Sequence, residues 1–216
     1  MPPNLLVKAA FVRGELENIE RKDHKGINGI RTDFILRNVY SYLLSGQCDI
    51  SKLSARNKNE ERVLEDWKET VKAFRFNYAS SVKGLCSEIE VTEETVGSVL
   101  LGVSNELFCE GITWSRIVAL FVFVGELTSL CLSKDLSNYI VEDVYNCFSK
   151  LVEEKLQSWI DDHDGWEGIS SLSVITQQEN SGKMSNPSWA KSLLYGTVRM
   201  IGTVAHLANY SNQVVP

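Results

Sequence analysis

From Trp114 to Leu132 the chain is apolar nearly all round. A helix with no polar face has none to turn toward water, so other elements must enclose it. At 1.5 Å per residue this one runs ~28 Å, long enough to be the axle of a domain. Ahead of it, a preceding helix ends, Gly111 breaks the chain, and Thr113 stands where a hydroxyl can accept a free N–H of the next first turn. Arg116 is the exception. A cation in the first turn opposes the helix dipole, at a cost on the order of 0.3–1 kcal/mol. Two explanations stay open: an ion pair with a local carboxylate such as Glu106 or Glu110, or a cation at the lip of an apolar groove awaiting an acidic partner.

Around this axle the pattern is helical throughout. Ile30, Phe34, Ile35, Val39, Tyr42 and Leu43 recur at helical spacing, and residues 45–59 read as a polar loop. A helix is expected over about 60–80, then a short segment over 82–89. Thr92 is expected to cap the next helix, with Glu93 and Glu94 in its first turn and Val96, Leu100, Val103 and Leu107 as its apolar stripe. After the axle, Ser133 is expected to cap a helix burying Ile140, Val144, Phe148 and Leu151. Residues 155–160 and 166–174 read as short closing helices.

Toward the ends, residues 4–20 can form a short amphipathic helix, and residues 176–187 read as a polar linker. Residues 188–210 read as helical, with Lys191, Arg199, His206 and Asn209 on one face. Trp189, Leu193, Met200, Val204 and Leu207 gather on the other. A transmembrane span needs ~20 mainly apolar residues, and these cations favour a helix lying on a membrane or docked on the domain over a degraded tail anchor.

The length of 216 residues suits one domain with a real core. A net charge of −6 argues against nucleic acid as the main partner, because phosphate binding needs a basic surface. The five cysteines are scattered without a Cys-x-x-Cys pair, which points to a reducing compartment rather than a disulfide or zinc framework. No signal peptide is read at the N-terminus, where the apolar run 5–12 is short and carries Lys8. The three histidines lie far apart, and Asp161-Asp162-His163-Asp164 reads as a solvated helix end rather than a metal site. Neither a cofactor nor a catalytic role is expected.

Two motifs give the chain a family likeness. Asn105-Glu106-Leu107-Phe108, Gly111, then Thr113-Trp114-Ser115-Arg116-Ile117-Val118 resembles the first homology motif of the Bcl-2 family of apoptosis regulators, which usually reads Asn-Trp-Gly-Arg at its centre. Trp159-Ile160 followed by Gly165-Trp166 resembles the family's second motif, with Asp164 replacing a Gly. Ser41-Tyr42 and Leu44 resemble its degenerate N-terminal motif. Trp67, Val71, Lys72 and Phe74 fall where the family has its own death motif, homology region 3, but Val71 replaces the small Gly and Lys72 inverts the acid.

The resemblance implies an all-α, Bcl-2-like helical bundle with a buried central helix and amphipathic helices around it. It divides the chain into an N-terminal extension (1–28), the helical domain (29–175), the linker (176–187) and a C-terminal amphipathic helix or degraded anchor (188–216). It also implies a groove that takes a partner's death-motif helix. Phe74, Tyr78, Val82 and Leu85 would form one wall and Val103 and Leu107 the floor, with Val118, Ala119 and Phe123 beside them. Arg116 would pair with the ligand's acid and Thr113 would add a hydrogen bond. The implied partners are pro-apoptotic members of the family, the mitochondrial outer-membrane surface through the C-terminal helix, and a homo- or hetero-dimer. The inverted death motif favours a pro-survival role; the alternative is a pore-forming executioner like Bak, Bax or Bok.

Overall fold

The computed structural model describes residues 29–89, 91–134 and 139–172, with the side chains of Ala79, Ser81, Leu85 and Glu88 outside what it describes. The readings made for residues 4–20, 176–187 and 188–210 lie outside the described residues. Within them the regular elements are all helical: α1 (Thr32–Leu43), α2 (Lys58–Glu88), α3 (Val96–Leu107), α4 (Trp114–Ser133), α5 (Ile140–Leu151) and α6 (Gln157–Asp162). A single π-helical turn, Val152–Leu156, joins α5 to α6, and a 3₁₀ turn, Gly165–Ile169, follows.

The axle α4 begins where expected, and Thr113 Oγ1 accepts the Arg116 N–H at 3.4 Å. Every residue from Arg116 to Thr128 is buried. By length and composition α4 could cross a membrane, with a mean hydropathy of 1.8, yet it is enclosed by α1, α2, α3 and α5. Its one buried acid, Glu126, is answered by Arg75 of α2 at 2.8 Å, and Arg75 also donates to the Leu43 carbonyl at the end of α1. Tyr40 of α1 hydrogen-bonds to Thr128 of α4 and to the Val141 carbonyl of α5. Among the described residues no buried side-chain polar atom lacks a hydrogen-bond partner.

Four boundaries differ from the sequence reading. The segment 82–89 is not separate but the end of α2, because Val71, Val82 and Cys86 continue one buried face at helical spacing. Thr92 does not cap α3: it closes a turn with Thr95, donating its N–H to Thr95 Oγ1 at 2.9 Å, and the helix starts at Val96. Ser133 ends α4, donating to the Leu130 carbonyl, rather than capping α5. The buried positions expected of α5 are all buried nonetheless. What the sequence reads as a helix over 155–160 is the continuation of α5, carried past Leu151 by the wider π turn so that Val152, Leu156 and Ile160 all reach the core.

The aromatic residues of both motifs meet in one cluster. Trp159 packs edge-on against Trp114 (5.3 Å between ring centroids), Trp114 against Trp67 (6.1 Å), and Trp67 against Trp166 (5.4 Å). These four tryptophans thus pack in series. Trp67 donates its indole N–H to the Trp166 carbonyl at 3.1 Å, and Trp166 donates its own to Thr32 Oγ1 at 3.0 Å. Such edge-to-face pairs are each worth about 0.5–1.5 kcal/mol beyond the area they bury. The two motifs lie some 45 residues apart in the chain, and the cluster is where they close the bundle.

Candidate helix-binding groove

Both α2 and α3 rest on α4, yet they hardly touch each other. The residues expected to form a groove are drawn from these three helices and the turn before α4. Phe74 and Tyr78 are half-buried on α2, their rings 4.8 Å apart and tilted at 47°. Val82 continues the same helix inward and is buried. Leu85 lies on α2, with its side chain outside the described residues. Val103 and Leu107 of α3, and Val118, Ala119 and Phe123 of α4, are each at most 1% exposed. The positions expected as floor are therefore covered, while Phe74 and Tyr78 are half-buried and the turn before α4 is accessible. Thr113 is exposed at that turn, where its hydroxyl also meets Ser115 Oγ at 3.1 Å.

Arg116 is buried, with its side chain 8% exposed, and both its terminal nitrogens have partners within the chain. Nη2 pairs with Glu110 Oε2 at 2.5 Å, and Nη1 donates to the Gly111 carbonyl at 2.6 Å. Of the local carboxylates considered from sequence, Glu110 is the one it uses. Its second partner was not legible, because a backbone carbonyl leaves no trace in a side-chain pattern. The turn that supplies both is made by Gly111, whose φ of +105° is a conformation side chains rarely adopt. The Gly111 N–H closes the turn onto the Phe108 carbonyl at 3.0 Å.

The helix that carries the altered death motif faces inward. Trp67 and Val71 are both fully buried, Lys72 is exposed, and Phe76, one turn on, is 90% exposed. Two open clefts lie away from the α2–α3 divide. One surrounds the Arg75–Glu126 pair with Lys83, Ser87 and Ser129 at its mouth, and the other lies beside Phe76 against Tyr42 and Leu43. At the far end of α6, His163 stacks on Trp159 with ring centroids 3.9 Å apart and places Nδ1 2.7 Å from the Trp159 carbonyl. Among the described residues no three acidic, histidine or cysteine side chains gather as metal ligands.

This arrangement agrees with known proteins. Residues 68–166 match the sequence model of the apoptosis regulator proteins of the Bcl-2 family. Over these residues the chain resembles the Bcl-2 family. Apoptosis regulator R11 of Xenopus laevis is 29% identical over 113 residues, which cover 52% of this chain and 55% of that protein. Bcl-2-like protein 1 of Gallus gallus is 31% identical over 99 residues, covering 46% and 43%. The match spans about half the length of these curated relatives. Among solved structures, trBcl-2L2 of Trichoplax adhaerens bound to trBak BH3 superposes with a TM-score of 0.57 and 26% identity, over 64% of this chain and 96% of that one. Chicken BOK shares the fold, with a TM-score of 0.53 at 18% identity over 64% and 90%.

Proposed function

We propose that this Bcl-2-like domain regulates apoptosis by taking the death-motif helix of a pro-apoptotic relative between α2 and α3, and so restrains permeabilisation of the mitochondrial outer membrane. The observation that carries the reading is Arg116: a cation buried in the first turn of α4 whose charged partner is a surface carboxylate. Phe74, Tyr78, Val82 and Leu85 form the wall that the ligand helix meets. Val103, Leu107, Val118, Ala119 and Phe123 become its floor once α2 and α3 part, Thr113 lies at the mouth, and Arg116 takes the ligand's acid in a charge-assisted contact. That trBcl-2L2 was solved bound to trBak BH3 supports this mode of recognition.

The pro-survival role draws its support from α2. An executioner has to present its own death motif to another copy. Here Trp67 and Val71 are sealed against the core and a cation, Lys72, stands where the acid would be. Turning α2 outward would expose the Trp67 contacts with Trp114, Phe121 and Trp166 to water. Residues 188–210 then bring the domain to the membrane surface.

Liposomes test the assignment directly. Added to dye-loaded vesicles with an active executioner, the protein should suppress release; with an activating death-motif peptide and no executioner, it should release nothing. Release by this protein alone would transfer it to the executioner class.

A further inference from the structure

The charge expected to receive a partner's acid is already held by the chain's own acid. Both terminal nitrogens of Arg116 are in use, Nη2 on Glu110 and Nη1 on the Gly111 carbonyl. A second carboxylate that takes Nη2 must share it with Glu110 or displace it. We propose that Glu110 is a built-in competitor for the ligand's acid and sets how strongly the groove selects for that acid. The proposal rests on the reading that the α2–α3 divide takes a partner helix.

The asymmetry of the pair makes the exchange workable. Arg116 is 8% exposed, Glu110 58%. A buried guanidinium left without an anion pays its full desolvation cost, so Arg116 is held paired at all times. Glu110, by contrast, is largely hydrated already and loses little when it swings into water. One carboxylate therefore replaces another with the cation never bare. The arriving acid gains only the difference between two ion pairs rather than a whole new one. A ligand without an acid leaves the Arg116–Glu110 pair intact and meets no competitor. Glu110 thus lowers affinity for acidic helices specifically and narrows their advantage over neutral ones. Its place on the turn between α3 and α4, next to Gly111, keeps it at the mouth without occupying the apolar floor.

The test uses the full chain and two peptides, a death-motif helix of ~20–26 residues and the same helix with its Asp changed to Asn. Titration calorimetry is run on the wild type and on Glu110→Gln, which keeps the size of a largely exposed side chain, with Glu106→Gln as a control of equal charge change. Glu110→Gln should tighten the Asp peptide by about tenfold, the scale of a charge-assisted pair, and leave the Asn peptide unchanged, with Glu106→Gln moving neither. Equal tightening by both variants would mean general charge repulsion and would overturn the proposal. So would an Asp peptide that binds the wild type well and Glu110→Gln no better. If neither peptide binds the wild type, the groove reading fails, and the competitor role falls with it.

Discussion

Glu60 sits fully buried at the start of α2 and holds together three segments of chain. Its carboxylate accepts from the Arg31 side chain at 3.0 Å and from the Arg56 N–H at 2.7 Å, while its own N–H is capped by Asn57. Burial pushes its pKa up, but the hydrogen bonds from Arg31 and Arg56 outweigh it and hold the carboxyl below the usual carboxylate range. The native state thus binds this proton less tightly than the unfolded chain does. The stabilisation is present in full above the unfolded value of about 4.3 and is lost as pH falls through the lower native one. Glu60→Gln should cost on the order of 1.5–3 kcal/mol at neutral pH, since the charge-assisted hydrogen bonds from Arg31 to the carboxylate would be weakened. The gap between variant and wild type should shrink in urea melts repeated from pH 7 toward pH 3. A gap that stays constant would mean that packing, not charge, holds this corner. Arg116→Ala belongs to the same class. Losing its bonds to Glu110 and Gly111 should lower stability by about 1–2 kcal/mol. It should also weaken an Asp-bearing peptide by about 2 kcal/mol, the lower end of the cost of truncating a desolvated pair, because Glu110 already offsets part of that pair. A double-mutant cycle with the Asp→Asn peptide should be non-additive; simple additivity would place the ligand's acid elsewhere.

Two glycines control how the helices meet. Gly111 turns the chain from α3 into α4 at φ +105°, and Gly111→Ala should cost about 1–3 kcal/mol in backbone strain. Because the same turn carries Glu110 and the Gly111 carbonyl, peptide binding should change along with stability. Gly168 matters for a different reason. A Cβ there would land on the His163 carbonyl oxygen and on the Trp114 ring, so the 3₁₀ turn can seat Trp166 only if this position is bare. Gly168→Ala should therefore loosen the tryptophan cluster, seen as a lower melting temperature together with loss of near-ultraviolet circular dichroism. An unchanged aromatic signal would mean that the turn can shift without disturbing the ladder from Trp159 to Trp166. The length of α2 is a related point. The polar Ser80 looks like an end in sequence, yet it lies on the solvent face of a helix whose other side, Val71, Val82 and Cys86, goes on packing against α4. Tertiary contact overrides a weak local stop.

For the molecule as a whole, the apolar axle and the C-terminal segment point to different relations with membrane. In α4 the apolar residues face protein, and the ion pair between Glu126 and Arg75 ties the helix to its neighbours. If helical as its sequence reads, the segment 188–210 would carry Lys191, Arg199 and His206 opposite an apolar face. The full chain should therefore bind anionic vesicles more tightly than neutral ones, with added salt weakening the binding, and truncation after residue 187 should abolish the difference. Equal binding to both vesicle types, released only by detergent, would indicate a spanning anchor.

The course of the axle, its Thr113 cap, the break at Gly111 and the buried stripes of α3 and α5 could all be read from residue order. Each follows from local rules: helical periodicity, the capping oxygen, and an apolar surface too complete to face water. The two tryptophan motifs also disclosed the family likeness, because their residue types and spacing recur together. Other features depend on which distant residues fold against one another. Residue order left Arg116 between a local acid and a ligand; the turn at Gly111 brings Glu110 to it. The family likeness put Val118, Ala119 and Phe123 beside a groove; in the folded domain they are buried on an axle enclosed by α1, α2, α3 and α5. The ladder from Trp159 through Trp114 and Trp67 to Trp166 joins three separate segments, and no local pattern contains it.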